Sequence, residues 1–276
     1  MPLAVCATPI GNLEDVTLRV LRELAEADLV LCEDTRHTKG LLDRHGIGAK
    51  LLSYHRHNEA QRTAELLPRL ESGERIALVS DAGLPGVNDP GARLIAAALE
   101  VGIPVTVLPG PSAVETALVA SGLAGERFQF LGYLPRGAKA RDALWGELAG
   151  WPHPAVAFES PQRLPATLRS LAAALPERPV AVCRELTKHF EEVVRGTPAE
   201  LAVRFADPPK GEITLVVGAG RVEDEQVDAG EALVMPLGAV IELVAAGVPR
   251  RQAADVIARL SRVSRNTLYA ESLKSR

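Results

Sequence analysis

Strand-like and helix-like segments alternate along this chain, and the alternation limits its fold more than any other feature. The strand-like runs in the first half are Leu3–Ala7, Leu29–Cys32, Leu51–Tyr54, Ile76–Val79 and Val105–Leu108. The helix-like segments between them are Leu18–Ala27, Glu59–Glu71, Ala92–Val101 and Ser112–Ser121. Such alternation predicts an α/β sheet with substantial parallel pairing.

The same alternation continues in a second half. Strand-like runs lie at Phe128–Tyr133, Ala155–Glu159, Val180–Cys183, Glu191–Arg195 and Ile213–Val217, and helix-like segments at Ala140–Leu148, Leu164–Ala174 and Pro198–Phe205. We therefore predict two α/β domains, residues 1–121 and 122–220, with a mixed sheet in the second. Residues 221–233 are predicted to be a linker, since they are charged and carry no apolar period.

The segment 234–276 predicts a helical tail with three short helices at Pro236–Ala246, Arg250–Leu260 and Ser264–Leu273. It carries seven Lys or Arg against three acidic residues, although the whole chain has a net charge of −4. A basic tail of this kind is typical of a helix-turn-helix module that contacts a polyanion. A helical clamp on the body or on a partner subunit fits the pattern equally well.

The loop Ser80–Gly91, with the sequence SDAGLPGVNDPG, is the densest concentration of functional signals. It follows the apolar run Ile76–Val79 and contains three glycines, two prolines and the carboxylates Asp81 and Asp89. Ligands of open α/β sheets bind beyond the carboxyl ends of the strands, so we predict a binding site here. We also expect Asp89 and Pro90 to cap and open the following helix.

Composition limits the class of protein. The longest apolar runs are far shorter than the roughly 18 residues that span a bilayer, so we expect no membrane segment. Met1–Val5 leads into a strand without a basic start, so we expect no signal peptide. The three cysteines, Cys6, Cys32 and Cys183, are widely spaced among apolar residues and are typical of buried thiols in a reducing cytoplasm. The six histidines show no recognised ligand spacing, and we predict no metal site.

Two further polar stretches follow strand-like runs. Glu33, Asp34 and Arg36 come directly after Leu29–Cys32, and Arg184, Glu185 and Lys188 after Val180–Cys183. Mixed acids and bases at strand ends can hold a phosphate or hydroxyl and remove a proton, but surface ion pairs would use the same residues. The GxGxxG and GxxxxGK[ST] motifs of nucleotide-binding loops are absent.

Eight ordered motifs together resemble a known family. They are TPIGNLEDVTLR, LCEDTRHT, HNE, ALVSDAGLPGVNDPG, LPGPSA, GYLPR, FESPQRL and RELTK. The set is similar to the bacterial small-subunit ribosomal RNA 2′-O-methyltransferases that act on a decoding-site cytidine, within the tetrapyrrole methylase-like superfamily. The resemblance implies a homodimeric cytoplasmic enzyme that binds S-adenosylmethionine in a cleft between two α/β domains and methylates RNA in the assembled subunit.

The resemblance also implies roles for individual residues. Pro9 and Gly11 would line the first cofactor loop, and Asp81, Ala82, Gly83 and Leu84 would contact the methionine and ribose parts. Ser112 and Ala113 would lie near the sulfonium, and Leu186 on the adenine side. Leu84 stands where the family commonly has Thr, and loss of that hydroxyl costs about 1 kcal/mol of hydrogen bonding.

The reaction implied by the resemblance is attack of a ribose 2′-oxygen on the sulfonium methyl group. For this reaction we expect Glu33, Asp34 or Glu185 to be the base or hydroxyl orienter, and Arg36, Arg184 and Lys188 to hold phosphate or the developing alkoxide.

Two other functions remain open. A methyltransferase acting on a tetrapyrrole or another small molecule would share the cofactor loops. A regulator that senses a ligand with its body and binds nucleic acid with its tail is a more remote alternative.

Overall fold

The computed structural model describes residues 2–220, 229–261 and 263–274, and the first five strands form one sheet. The strands are β1 (Leu3–Cys6), β2 (Leu29–Cys32), β3 (Leu51–Ser53), β4 (Ile76–Val79) and β5 (Val105–Leu108). They pair in parallel in the order β3-β2-β4-β1-β5, as the alternation predicts. The helices between and after them are α1 (Leu18–Glu26), α2 (Thr35–Arg44), α3 (Glu59–Glu71), α4 (Ala92–Glu100) and α5 (Ala113–Ser121).

Both faces of this sheet are buried at its central strands β2, β4 and β1, whereas the edge strands β3 and β5 are partly exposed. Alternate residues of β1 and β4 point to opposite sides, so Leu3 and Ile76 pack on one face while Ala4 and Ala77 pack on the other. Burial on both faces explains why these strands are continuous apolar runs. Because the central strands are held rigidly by this packing, the loops that follow their carboxyl ends start from fixed positions.

The second sheet has the order β6-β7-β10-β8-β9. Its strands are β6 (Gln129–Tyr133), β7 (Ala155–Glu159), β8 (Val180–Arg184), β9 (Glu192–Gly196) and β10 (Ile213–Val217). The helices of this half are α6 (Ala138–Ala149), α7 (Leu164–Ala174) and α8 (Pro198–Arg204). Only β6 and β7 pair in parallel, and the other pairs are antiparallel, so the prediction of a mixed sheet is confirmed.

Helix α5 belongs in sequence to the first half but packs against the second sheet. Val114 and Ala117 share an apolar cluster with Val156, Ala181 and Val216. At the end of α5, the Arg195 guanidinium of β9 donates through Nε to the Ser121 carbonyl over 2.6 Å. The helix therefore brings the loop after β5 to the second half.

Three helices form a second unit at the C-terminus: α9 (Ala229–Ala245), α10 (Arg250–Leu260) and α11 (Arg265–Lys274). Val240, Ala253, Ala254 and Leu268 form its small core. Three helices were predicted, but the predicted start of the first at Pro236 is wrong, because α9 begins at Ala229 and includes Pro236. Most of the predicted linker, residues 221–228, lies outside the described residues.

Two local predictions fail. Helix α2 was not predicted; Asp34 caps it by accepting the Arg36 backbone N–H over 2.8 Å, and Thr38, Leu41 and Leu42 bury its inner side. Asp89 does not cap α4. The N-cap is Gly91, whose φ of +135° suits glycine, so α4 starts without a side-chain cap.

All three cysteines are buried and unpaired, as predicted. Burial raises the pKa of Cys6 to about 12 and that of Cys183 to about 11, so both remain neutral thiols. Among the described residues, no helix combines the length and the apolar character needed to cross a bilayer.

Candidate active site

The loops after β1 and β4 are joined at the carboxyl edge of the first sheet. The Thr8 N–H donates to the Gly83 carbonyl over 2.9 Å, and the Gly83 N–H donates to the Thr8 carbonyl over 3.0 Å. The Thr8 hydroxyl also donates to the Ser80 carbonyl over 2.9 Å. This pairing needs a φ of +76° at residue 83, which explains the glycine in SDAG.

A cavity of about 720 Å³ opens beside this pairing, within residues 1–220. Residues 81–84, 87–89 and 109–115 line it from the first half and α5. Phe130, Tyr133, residues 158–161, Leu186 and residues 211–214 line it from the second half. Its volume lies within the roughly 300–1,000 Å³ of small-molecule sites.

Most of the cofactor residues implied by the resemblance line this cavity: Asp81, Ala82, Gly83, Leu84, Ser112, Ala113 and Leu186. Pro9 and Gly11 do not, although Ile10 between them does. Gly11 instead faces the loop after β8, because a Cβ on it would lie 2.9 Å from the Leu186 carbonyl oxygen. Leu84 is half-buried and also packs against the core of the first half, where a leucine side chain fits better than a hydroxyl.

The six residues predicted for catalysis, Glu33, Asp34, Arg36, Arg184, Glu185 and Lys188, do not line the cavity. Both Asp34 oxygens bind Arg36, through Nε over 3.1 Å and Nη2 over 2.7 Å. The hydrogen bonds from Arg36 hold the pKa of Asp34 well below its usual range, so this carboxylate is a weak base. Its backbone N–H, however, donates to Asp81 Oδ1 over 3.1 Å and so orients a cavity carboxylate.

The predicted group after β8 forms a closed ion-pair network. Lys188 Nζ lies 3.0 Å from Glu185 Oε1 and 2.8 Å from Glu212 Oε2. The Glu212 N–H donates to Glu185 Oε1 over 2.9 Å, and this bond together with Lys188 lowers the pKa of Glu185. Arg184 pairs with Glu192 at 3.0 Å. These side chains fix the loop that presents Leu186 to the cavity.

Several cavity residues from both halves had no individual role in the site predicted from sequence. Among them are Asp89, Tyr133, Glu159 and Glu212. Burial, together with the nearby Glu33 and Asp81 carboxylates, raises the pKa of Asp89 to about 6, and Arg56 only partly opposes the shift. Asp89 stands in the same loop as Asp81, but the pattern Asp-Pro predicts a helix cap and so hid a cavity role.

The arrangement is that of an enzyme that encloses a small ligand between two α/β halves, and comparisons with known proteins agree. Residues 2–202 match the model of the tetrapyrrole (corrin/porphyrin) methylases. A ribosomal RNA small subunit methyltransferase I of Mesorhizobium japonicum is 43% identical over 99% of this chain and 91% of its own length. The protein of the same name from Halalkalibacterium halodurans is 45% identical over 97% of this chain and 93% of its own.

A solved structure shows the same fold. The uroporphyrin-III-C-methyltransferase of Thermus thermophilus covers 78% of this chain and 93% of its own, with a TM-score of 0.56 and 25% identity.

The chain belongs to the tetrapyrrole methylase family and is a methyltransferase. The family resemblance and the predicted pair of α/β halves with a helical extension are thereby confirmed. Membership in a family of enzymes argues against the regulator hypothesis. Within the described residues, no group of three or more His, Cys, Asp or Glu side chains is arranged to hold a metal ion.

Proposed function

We propose that this protein transfers a methyl group from S-adenosylmethionine to the ribose 2′-oxygen of a decoding-site cytidine in small-subunit ribosomal RNA. One observation carries the proposal: six of the eight motifs behind the family resemblance contribute residues to a single cavity. The relatives named for small-subunit ribosomal RNA match nearly the whole chain, including its helical tail.

The cavity fits S-adenosylmethionine in size and in chemistry. The Asp81 carboxylate can accept hydrogen bonds from the cofactor's ammonium group or ribose hydroxyls. The first amides of α5, at Ala113 and Val114, line the cavity and have no acceptor within the helix, so they suit the cofactor's carboxylate. Leu186, which is only 6% exposed, offers an apolar surface to the adenine.

When bound, the cofactor supplies an electrophilic methyl group on a positively charged sulfur. The protein then has to align the ribose hydroxyl and receive its proton, and alignment alone supplies much of the catalysis in such transfers. We propose that Pro9 and Gly11 support the first cofactor loop and that Ala82 to Leu84 form the floor. Ser112 lies at the end near the reacting group.

The six polar residues at strand ends receive supporting roles in this proposal. Asp34 orients Asp81 through its backbone, and Arg184, Glu185 and Lys188 hold the Leu186 loop. The Arg36 side chain is 89% exposed beside the site, and we propose that it contacts an RNA phosphate. Glu33 lies close enough to Asp89 to raise its pKa and contributes negative charge there.

We further propose that the substrate is the assembled subunit, that the enzyme is a homodimer, and that it works in the cytoplasm, where ribosomes assemble. Structured RNA is recognised largely by its shape, and assembly of the particle fixes the shape of its RNA, which supports the subunit as substrate.

The test is methyl transfer from radiolabelled S-adenosylmethionine to three substrates in parallel: small ribosomal subunits, naked small-subunit RNA and a tetrapyrrole precursor. We expect label on the RNA of the subunits. Label on the tetrapyrrole would show that the cavity is correctly assigned and the substrate is not. Cofactor binding without transfer to any of the three would contradict both the ribosomal RNA and the tetrapyrrole as substrates.

A further inference from the structure

We propose that Asp89 accepts the proton of the ribose 2′-hydroxyl during methyl transfer, an inference that rests on the proposed function. As the 2′-oxygen forms its bond to the methyl carbon, the carbon–sulfur bond breaks and its electron pair stays on sulfur. The hydroxyl proton passes to the Asp89 carboxylate. The products are the 2′-O-methyl ribose, neutral S-adenosylhomocysteine and a protonated Asp89, so charge and atoms balance.

Five carboxyl groups line the cavity: Asp81, Asp89, Glu115, Glu159 and Glu212. A proton acceptor among them needs an oxygen that is not already held by a strong donor. The five differ sharply in this respect.

In four of them at least one oxygen is already engaged by a partner. Both oxygens of Glu159 are used, Oε1 by the Ser160 N–H at 2.7 Å and Oε2 by the Thr167 hydroxyl at 2.6 Å. Glu212 pairs with Lys188, and Glu115 accepts from the Ser112 hydroxyl. Asp81 Oδ1 accepts the Asp34 N–H, and we assign this carboxylate to the cofactor.

Asp89 is the exception. Within the described residues it forms no ion pair; the nearby Arg56 donates through Nη2 to the Asn88 carbonyl, and the Ser80 hydroxyl is an uncharged donor toward Asp89. The groups that face it are the carboxylates of Glu33 after β2 and Asp81 after β4, the Arg56 guanidinium before α3, the Ser80 hydroxyl, and Tyr133 of β6. Two neighbouring negative charges and partial burial favour its protonated form.

The backbone on both sides of Asp89 is fixed. Before it, Asn88 has a φ of +66° and its carbonyl accepts from Arg56. After it, the Gly91 N–H donates to Glu59 Oε1 over 3.1 Å. A carboxylate on a loop tethered at both ends is held in place before the substrate arrives, as proton transfer requires.

The basicity of Asp89 suits this role. Its pKa of about 6 lies close to the pH of the cell, where a base is both deprotonated and able to take a proton. Asp34 and Glu185, which the sequence favoured as bases, have lowered pKa values and lie outside the cavity lining. The structure therefore favours Asp89, near the end of the loop Ser80–Gly91, as the proton acceptor over Asp34 and Glu185.

The test compares wild type with Asp89→Asn in single-turnover methylation of small ribosomal subunits, between about pH 5 and pH 8. Glu71→Gln is the control; it removes an exposed carboxylate at the end of α3 remote from Glu59. We expect the wild-type rate to rise to about pH 6 and then level off. Asp89→Asn should lower the plateau on the order of a hundredfold and lose the pH-dependent limb. Glu71→Gln should match wild type.

Cofactor affinity, measured by calorimetry, separates this role from binding. We expect the S-adenosylmethionine Kd of Asp89→Asn to stay within about threefold of wild type, a difference well below 1 kcal/mol. A rate that is preserved, or one that falls only in proportion to cofactor affinity, would overturn the inference. Failure of the wild type to methylate RNA would instead overturn the proposed function, and this inference with it.

Discussion

The backbone N–H of Asn12 donates a hydrogen bond to the hydroxyl of Thr187 over 3.0 Å. This bond joins the loop after β1 in the first half to the loop after β8 in the second. Thr187 has a φ of +65°, so the second loop is held in a backbone conformation that non-glycine residues seldom adopt. The contact sets the distance between Ile10 and Leu186, which both line the cavity.

Substitution of Gly11 by Ala should disturb this junction. A Cβ there would lie 2.5 Å from Lys188 Cγ and 2.8 Å from Thr187 Oγ1, so the two loops would have to move apart. We expect Gly11→Ala to lower the free energy of unfolding by about 1–3 kcal/mol and to weaken S-adenosylmethionine binding. Urea titration and calorimetry measure the two effects.

The control is Gly146→Ala, in the middle of α6, where an added Cβ meets nothing within 4 Å. Alanine should stabilise this helix by up to about 1 kcal/mol and leave cofactor binding unchanged. Equal cofactor affinity in Gly11→Ala and Gly146→Ala would show that the junction does not shape the cavity.

Arg36→Ala should separate RNA binding from cofactor binding. Because Arg36 and Asp34 form an exposed pair, loss of the Arg36 side chain should change stability little. We expect weaker methylation, unchanged S-adenosylmethionine affinity, and a salt dependence of subunit binding whose slope falls by about 1. Arg44→Ala, on the same helix but paired with Glu14, is the control. Parallel loss of methylation and cofactor binding would contradict the phosphate role.

Tyr133 is expected to stack on the target base. Its side chain is 62% exposed at the cavity, and its ring is braced edge-on by Phe158 at a centroid distance of 5.5 Å. Tyr133→Ala should cost about 1–3 kcal/mol of RNA binding, seen as a raised KM for subunits, while Tyr133→Phe should behave as wild type. Phe190→Ala removes a comparably exposed ring outside the cavity lining and should have no effect. An unchanged KM in Tyr133→Ala would rule out stacking.

Asp89 should also make the free energy of unfolding depend on pH. Its pKa is raised from 3.8 to about 6 on folding, so the folded state holds a proton that the unfolded state has released in that pH range. The contribution of Asp89 to stability is therefore lost as pH rises from about 4 to about 6. We expect Asp89→Asn to be more stable than wild type by about 1–2 kcal/mol above pH 6, after allowance for solvent screening, and not near pH 4. Urea titrations at the two pH values would contradict this if the difference were constant.

Arg178 is a buried residue that stabilises the fold and lies outside the cavity lining, so we expect its loss to lower stability. It is 5% exposed, and its guanidinium donates to the Gly218 carbonyl over 3.3 Å, to the Leu148 carbonyl over 2.6 Å, and to the Trp151 carbonyl. Arg178→Ala would remove three buried hydrogen bonds, although the Leu148 carbonyl keeps the Trp151 N–H, and should cost about 3 kcal/mol of unfolding free energy in a urea titration. The exposed Arg169→Ala should stay within about 0.5 kcal/mol of wild type, and a similar value for Arg178→Ala would contradict the assignment.

The central strands of both sheets could be predicted from sequence because burial on two faces leaves continuous apolar runs. Ile76–Val79 and Ile213–Val217 are found with their predicted bounds. Helix α2 could not, since its first turn is polar and the residue that starts it, Asp34, looked like a site residue. Local pattern also gave no sign that α5 would pack on the second sheet, because that choice depends on contacts with distant strands.

The candidate site was predictable where a glycine is needed for a positive φ, as at Gly83. It was not predictable where function depends on which carboxylate is left without a partner. In sequence, Asp34 and Glu185 were candidate bases and Asp89 a helix cap, and the contacts of Asp34 with Arg36 and of Glu185 with Lys188 reverse that order. Those partners are close in sequence, whereas the carboxylates that raise the pKa of Asp89 are Glu33, from the loop after β2, and Asp81, from the other end of its own loop.

The most direct test of the central claim is the position of the methyl group on the RNA. Small ribosomal subunits methylated with labelled S-adenosylmethionine would be hydrolysed with alkali, which cleaves beside every free 2′-hydroxyl. We expect the label to be recovered in an alkali-resistant dinucleotide that begins with cytidine. Label recovered in a mononucleotide would mean that a base had been methylated, and would contradict the ribose 2′-oxygen as the acceptor.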